Sequence, residues 1–102
     1  MTLTDRRMLL VEIAARFGKN LTRCRKRAGL SQEELGVRAS LHRTEIGLLE
    51  RGERLPRIDT AVKLAGALGA PLGELIEGID WAPGSSSRGS FSVATPGDPE
   101  SS

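Results

Sequence analysis

A chain of 102 residues, 38% hydrophobic, has room for one small domain and a tail but not for two domains. Its three aromatic side chains are too few for base-stacking platforms of the kind that grip single strands, and one cysteine excludes an intramolecular disulfide framework. The formal charge is only +2, but residues 1–30 carry eight basic against two acidic side chains while residues 31–102 are net acidic. Met8–Ala15 is too short for a signal peptide, is broken by Glu12 and runs into charge. No stretch approaches the ~20 apolar residues of a membrane span, so a cytoplasmic, nucleoid-associated chain with no membrane contact is expected.

Thr4 suits the N-cap of a helix running to about Ala28, with Leu10, Ile13, Phe17, Leu21, Cys24 and Ala28 forming one apolar stripe. Gly18 interrupts the stripe and leaves two readings open: one long helix, or an N-terminal extension over 1–17 followed by the first helix of a unit spanning 18–78. Gly29 ends it. Ser31 and Glu34 then form a capping box that opens a short helix with Leu35 and Ala39 on its inner face. After Ser40 and Leu41 a second helix over about 42–51 begins with four polar residues, His42 to Glu45, and is anchored by Ile46 and Leu49. Gly52 suits the left-handed position that stops it. A tightly turned pair of this size can place the first turn of its second helix in a DNA major groove. Arg43 there suits bidentate contact with guanine, and the Thr44 methyl suits a thymine methyl.

Pro56 closes a turn, and Ile58–Leu68 reads as a fourth helix with Val62, Leu64, Ala65 and Leu68 apolar. Gly69 terminates it. Pro71 suits the first turn of a fifth helix, buried through Leu72, Leu75 and Ile76 and stopped by Gly78. From Ala82 onward Gly, Pro and Ser supply 13 of 21 residues, which gives residues 79–102 the composition of a flexible tail. Ile79–Trp81 and Ser90–Val93 nevertheless alternate apolar and polar, so a short β-hairpin over 79–93 that packs Trp81 and Phe91 onto a neighbour stays open.

Catalytic chemistry finds no footing. His42 is the only histidine and sits at a helix start, where it reads as a cap or phosphate contact. Cys24 falls on the core stripe, with a redox-sensing thiol as the alternative. Glu33 and Glu34 belong to a helix start and Asp98 and Glu100 to the tail, so neither pair is an acid–base couple. Neither metal-ligand spacing nor a phosphate-cradling loop is present, so no metal or other cofactor is expected. The basic run Arg23–Arg27 reads either as a solvated helix face or, beside a helix pair of this type, as attraction to DNA phosphate. A protein-interaction module that uses Leu48 and the Trp81/Phe91 segment is the competing reading.

Leu21–Arg25, Gly29–Leu35, Ile46–Gly52, Pro56 and Thr60–Gly69 together resemble the Xre / phage Cro–repressor type helix-turn-helix family over roughly residues 18–76. The resemblance implies an all-α, five-helix DNA-binding domain, here with an extended N-terminal helix and a Gly/Ser/Pro-rich C-terminal tail. It also implies a bacterial transcription regulator, a repressor by default, that works as a homodimer on a palindromic double-stranded operator. The C-terminal segment is left open as a site for a protein partner.

Carried over residue by residue, the family pattern assigns base edges to Arg43, Thr44 and Leu48, and backbone phosphate to Gln32, His42, Arg51 and Arg54. It makes Arg25 and Glu50 a structural ion pair. Ser40 stands where the family usually has Gly and is expected at positive φ. Gly47 and Leu48 replace commonly polar residues, and Gly47 is expected either to weaken its helix or to let the backbone approach DNA. Arg57 replaces a small N-cap. Glu45 and Glu53 sit near the DNA face, where a carboxylate repels phosphate or accepts from a cytosine amino group.

Overall fold

The computed structural model describes residues 6–84 and 89–94; Thr4, Asp98 and Glu100 lie outside the described residues. Five helices are followed by two strands: α1 Arg6–Arg27, α2 Gln32–Ala39, α3 Arg43–Glu50, α4 Ile58–Leu68, α5 Leu72–Leu75, β1 Ile79–Ala82 and β2 Ser90–Val93.

The first helix runs unbroken through Gly18 for 22 residues. Its buried apolar positions are Ala14, Phe17, Leu21 and Cys24, whereas Leu10 and Ala28, expected on the same stripe, are exposed. The reason is where the partners land. Gly52 meets Ala15, the end of α3 meets Gly18, and α5 meets Asn20, so the N-terminal turns that carry Leu10 run ahead of these contacts, while Ala28 lies just past the helix end at Arg27. The core joins Phe17, Leu21 and Cys24 to Leu35 and Ala39 of α2, Ile46 and Leu49 of α3, Ala61, Leu64 and Ala65 of α4, and Leu75 of α5. In α4 the buried set begins at Thr60 and Ala61, and Val62, expected inside, is 54% exposed. In α5 only Leu75 is buried; Leu72 and Ile76, also expected inside, are exposed. A helix of four residues presents too narrow an apolar face to bury all three.

Such a short helix needs outside support, because nucleation is costly and its last carbonyls lack intrahelical partners. Two buried polar residues of α1 supply it. The Asn20 side-chain amide donates to the carbonyls of Leu75 and Glu77, each at 2.9 Å. Arg16, only 3% exposed, donates from Nε to the Glu77 carbonyl at 2.9 Å and pairs with the Glu77 carboxylate at 3.1 Å. Arg23 Nη1 in turn donates to Asn20 Oδ1 at 3.0 Å, so the amide oxygen is also satisfied.

Gly78, at φ +88°, turns the chain into the antiparallel hairpin, in register Ile79↔Val93 and Trp81↔Phe91. These four side chains share one face by the period of two, and β2 packs against α1. The Trp81 and Phe91 rings meet edge-to-face with centroids 5.0 Å apart. The hairpin left open by the sequence is therefore present, but its aromatics pack mainly on each other, with Trp81 57% exposed.

Candidate nucleic-acid interface

The helix pair is fixed at both ends by local chemistry. Ser31 Oγ accepts from the Glu34 amide at 3.0 Å, and the Ser31 amide donates to the Glu34 carboxylate at 2.8 Å, completing the capping box. That backbone donation holds the Glu34 carboxyl below its ordinary range. Between the helices Ser40 adopts φ 58°, ψ 45°, the left-handed conformation expected of it, and the Leu41 amide returns to the Gly36 carbonyl at 2.8 Å. Gly36 is buried against this turn: a Cβ there would stand 2.6 Å from the Leu41 carbonyl oxygen. Sequence reasoning passed over it, since close approach of backbone to backbone leaves no signal in periodicity.

His42 occupies the N-cap of α3 in an extended conformation, and its side chain makes no capping hydrogen bond. Arg43 and Thr44 follow in the exposed first turn, while Ile46 and Leu49, both 0% exposed, anchor the opposite face in the core. Leu48 is half-buried. Gly47 is buried, with Arg51 lying over it: a Cβ there would meet Arg51 Nη1 at 3.0 Å. The backbone at Gly47 is thus covered by the Arg51 guanidinium rather than open to a groove. Gly52, at φ +72°, ends the helix as expected.

Behind α3 lies the expected ion pair. Arg25 contacts Glu50 through Nε–Oε2 at 2.6 Å and Nη2–Oε1 at 3.1 Å, with the two side chains 13% and 6% exposed. Arg25 Nη1 also donates to the Leu30 carbonyl at 2.9 Å, and Gln32 Nε2 donates to Glu50 Oε1 at 3.0 Å. Burial alone would raise the Glu50 carboxyl, but the hydrogen bonds from Arg25 and Gln32 prevail and hold it below the usual carboxylate range. The same bond raises Arg25 further. One network therefore joins the end of α1, the start of α2 and the end of α3. An amide nitrogen carries two hydrogens, so Gln32 keeps a second donor beyond its bond to Glu50.

The cations near α3 are not equally available. Arg51 pairs with Glu53 at 2.9 Å, Arg54 with Glu45 at 3.0 Å, and Arg57 with Asp59 at 3.2 Å, all at the surface. Among the described residues Arg43 has no carboxylate within 4.0 Å. On α1, Arg23 and Arg27 pair with Glu77 and Glu74 while staying exposed, and Lys19 and Lys26 are exposed as well. Cys24 is buried as a core residue. Desolvation pushes its thiol above the ordinary value, and the S–H lies 3.8 Å from Glu74 Oε1. Among the described residues no helix is long and apolar enough to cross a membrane.

A capped helix, a left-handed turn and an exposed polar first turn on a core-anchored second helix define a helix-turn-helix protein. Residues 21–75 match the helix-turn-helix family HTH_3, and the chain belongs to that family, of the Xre/Cro-like type that its sequence resembles. It is a DNA-binding transcriptional regulator of a non-enzymatic family. Its relatives include an uncharacterized HTH-type transcriptional regulator, y4dJ, of Sinorhizobium fredii, 39% identical over 66 residues that span 65% of this chain and 86% of that protein. Control protein C.BamHI of Bacillus amyloliquefaciens is 36% identical over 62 residues, or 60% of this chain and 76% of that one. Among solved structures, the restriction-modification controller protein C.AhdI from Aeromonas hydrophila is 39% identical. It aligns with a TM-score of 0.59 over 61% of this chain and 94% of its own.

Proposed function

We propose that the protein is a sequence-specific repressor that binds a palindromic double-stranded operator as a homodimer, with one α3 in the major groove of each half-site. The observation that carries this reading is the first turn of α3. Arg43 and Thr44 stand exposed on a helix held from behind by Ile46 and Leu49, and no described carboxylate neutralises Arg43. A two-fold dimer would set the two recognition helices about 34 Å apart, one turn of DNA. Leu48 adds apolar contact to thymine methyls, and sequence-dependent DNA shape contributes where side chains offer no polar group. Gln32, His42, Arg51 and Arg54 serve as phosphate contacts. For Arg51, binding exchanges a surface carboxylate for a phosphate oxygen, a small loss because exposed ion pairs contribute about 0–1 kcal/mol, whereas Arg54 keeps further N–H donors for phosphate beyond the one it gives to Glu45. Likeness to C.AhdI and C.BamHI favours a controller-type regulator over a prophage repressor or antitoxin. The exposed Trp81 and Phe91 are the surface left for a protein partner.

Selection of sites from a random duplex pool, followed by titration of variants, tests the reading. Arg43→Ala is expected to cost about 1–3 kcal/mol on the selected site with little loss on random DNA. Arg51→Ala is expected to weaken both alike and to reduce the salt slope by about 1. Equal losses for Arg43→Ala on both DNAs would refute base reading. A monomer by sedimentation at the concentrations that saturate the site would refute the dimer.

A further inference from the structure

We infer that Glu45 is a specificity-determining residue of the base-reading turn, its carboxylate accepting from a cytosine amino group in the major groove while Arg54 holds it there. The inference rests on the placement of α3 in the groove.

Glu45 is the third residue of α3, directly after Arg43 and Thr44, and its side chain keeps 28% of its exposure. A surface glutamate is ordinarily free to swing away from approaching phosphates. This one is tied down: Arg54 Nη1 lies 3.0 Å from its Oε1. Arg54 comes from the loop beyond α3, nine residues on, so the pair fastens the carboxylate to the recognition turn instead of to a neighbouring helical position. An ionised carboxylate has about four lone-pair sites, and Arg54 takes one of them. The remainder stay free to accept, in a turn where Arg43 is a pure donor and Thr44 carries a hydroxyl.

The groove discriminates sharply against such an acceptor. Guanine presents N7 and O6 and thymine presents O4, all of which repel a carboxylate. Adenine offers an N6 hydrogen but sets its N7 lone pair beside it. Cytosine offers N4–H without an adjacent acceptor of its own, so it is the base that fits. Gly47 and Leu48 bring no polar side-chain group to this helix, which leaves Glu45 as the charged acceptor of α3's first turn, beside the Thr44 hydroxyl. Arg43 then reads the purine of one G·C pair and Glu45 the pyrimidine of another, and one carboxylate excludes the remaining bases at its position.

An exposed ion pair contributes little to folding, so Glu45→Gln should fold as the wild type does. Random-pool selection on wild type and Glu45→Gln is the test, with each single-base variant of the wild-type site then titrated. The expected result is loss of the cytosine preference at one position per half-site, by roughly tenfold in relative affinity, with the other positions unchanged. At that position the preference should move toward adenine, whose N6/N7 edge suits a glutamine amide, and affinity for random DNA should rise as a negative charge leaves the phosphate field. Arg54→Gln, which releases the carboxylate, should blur the same position and no other. An unchanged base profile in Glu45→Gln, with only a uniform shift in affinity, would overturn the inference while the Arg43-dependent positions still stand. A wild-type chain that enriches no site would remove the groove placement and the inference with it.

Discussion

Truncating Glu50 to Ala is expected to lower the unfolding free energy by about 3 kcal/mol, read from the urea midpoint at neutral pH, the scale of removing one partner from a buried pair. Glu50 is 6% exposed and Arg25 13%, so the arginine left behind is desolvated without its counter-charge. It keeps one hydrogen bond, to the Leu30 carbonyl, which places the loss toward the low end of the range for such pairs. Gln32 also loses its acceptor. Substituting both partners by methionine should recover part of the loss, because an apolar pair leaves no buried charge. If the single and double variants unfold at the same midpoint, the network is not the origin of the effect. The pH dependence follows from the direction of the Glu50 shift. Its folded carboxyl lies below the unfolded value, so the native state binds the proton less readily. The contribution is therefore complete above the unfolded value of about 4.3 and fades as pH falls through the folded one. Wild type should lose stability across about pH 5 to 3 more steeply than Glu50→Ala does. Parallel curves would argue that the carboxylate is not held by its partners.

Features set by a few consecutive residues were legible in the sequence. The Ser31/Glu34 box and the Gly52 stop each follow from backbone groups that must be satisfied within one turn, and the structure has both; the left-handed Ser40, also present, was implied by the family resemblance. The Arg25–Glu50 pair, 25 residues apart, was legible only through resemblance to a family. Which side of a helix is covered was read less well. Val62, Leu72, Ile76 and Leu10 are apolar and correctly spaced, but whether they are buried depends on where a neighbouring helix ends. The clasp of Arg16 and Asn20 on α5 was invisible for a related reason. A buried arginine and asparagine make sense only beside the carbonyls of Leu75 and Glu77, 55 to 61 residues away. The sequence likewise set Arg51, Arg54, Glu45 and Glu53 near the DNA face but did not show that they pair as Arg51–Glu53 and Arg54–Glu45.

Gly18 is where the sequence pattern and the packing differ most, and a second substitution makes the difference measurable. As a glycine inside a helix it reads as a weak point, since alanine in an open helical position is better by about 1 kcal/mol. In the fold it is the contact between α1 and the end of α3. A Cβ at residue 18 would stand 2.5 Å from the Leu49 carbonyl oxygen and 2.6 Å from that of Glu50, with the Glu50 carbonyl carbon at 2.9 Å. All three are backbone atoms, so relief requires moving a helix rather than a side chain. Overpacking of this kind costs about 1–3 kcal/mol, occasionally more. With the propensity gain set against a cost at the upper end, Gly18→Ala should still be destabilising by about 2 kcal/mol. Gly66 in α4 is the control, because a Cβ there would meet nothing within 4 Å, and Gly66→Ala should stabilise by about 0.5–1 kcal/mol. Two glycine-to-alanine changes in mid-helix would thus move the urea midpoint in opposite directions. The residues that would yield at Gly18 are those whose side chains anchor α3 and close its brace. Gly18→Ala should therefore also lose affinity for the selected operator under conditions where the variant remains folded. A variant as stable as wild type with full operator affinity would mean that α1 and α3 are not in the close contact described.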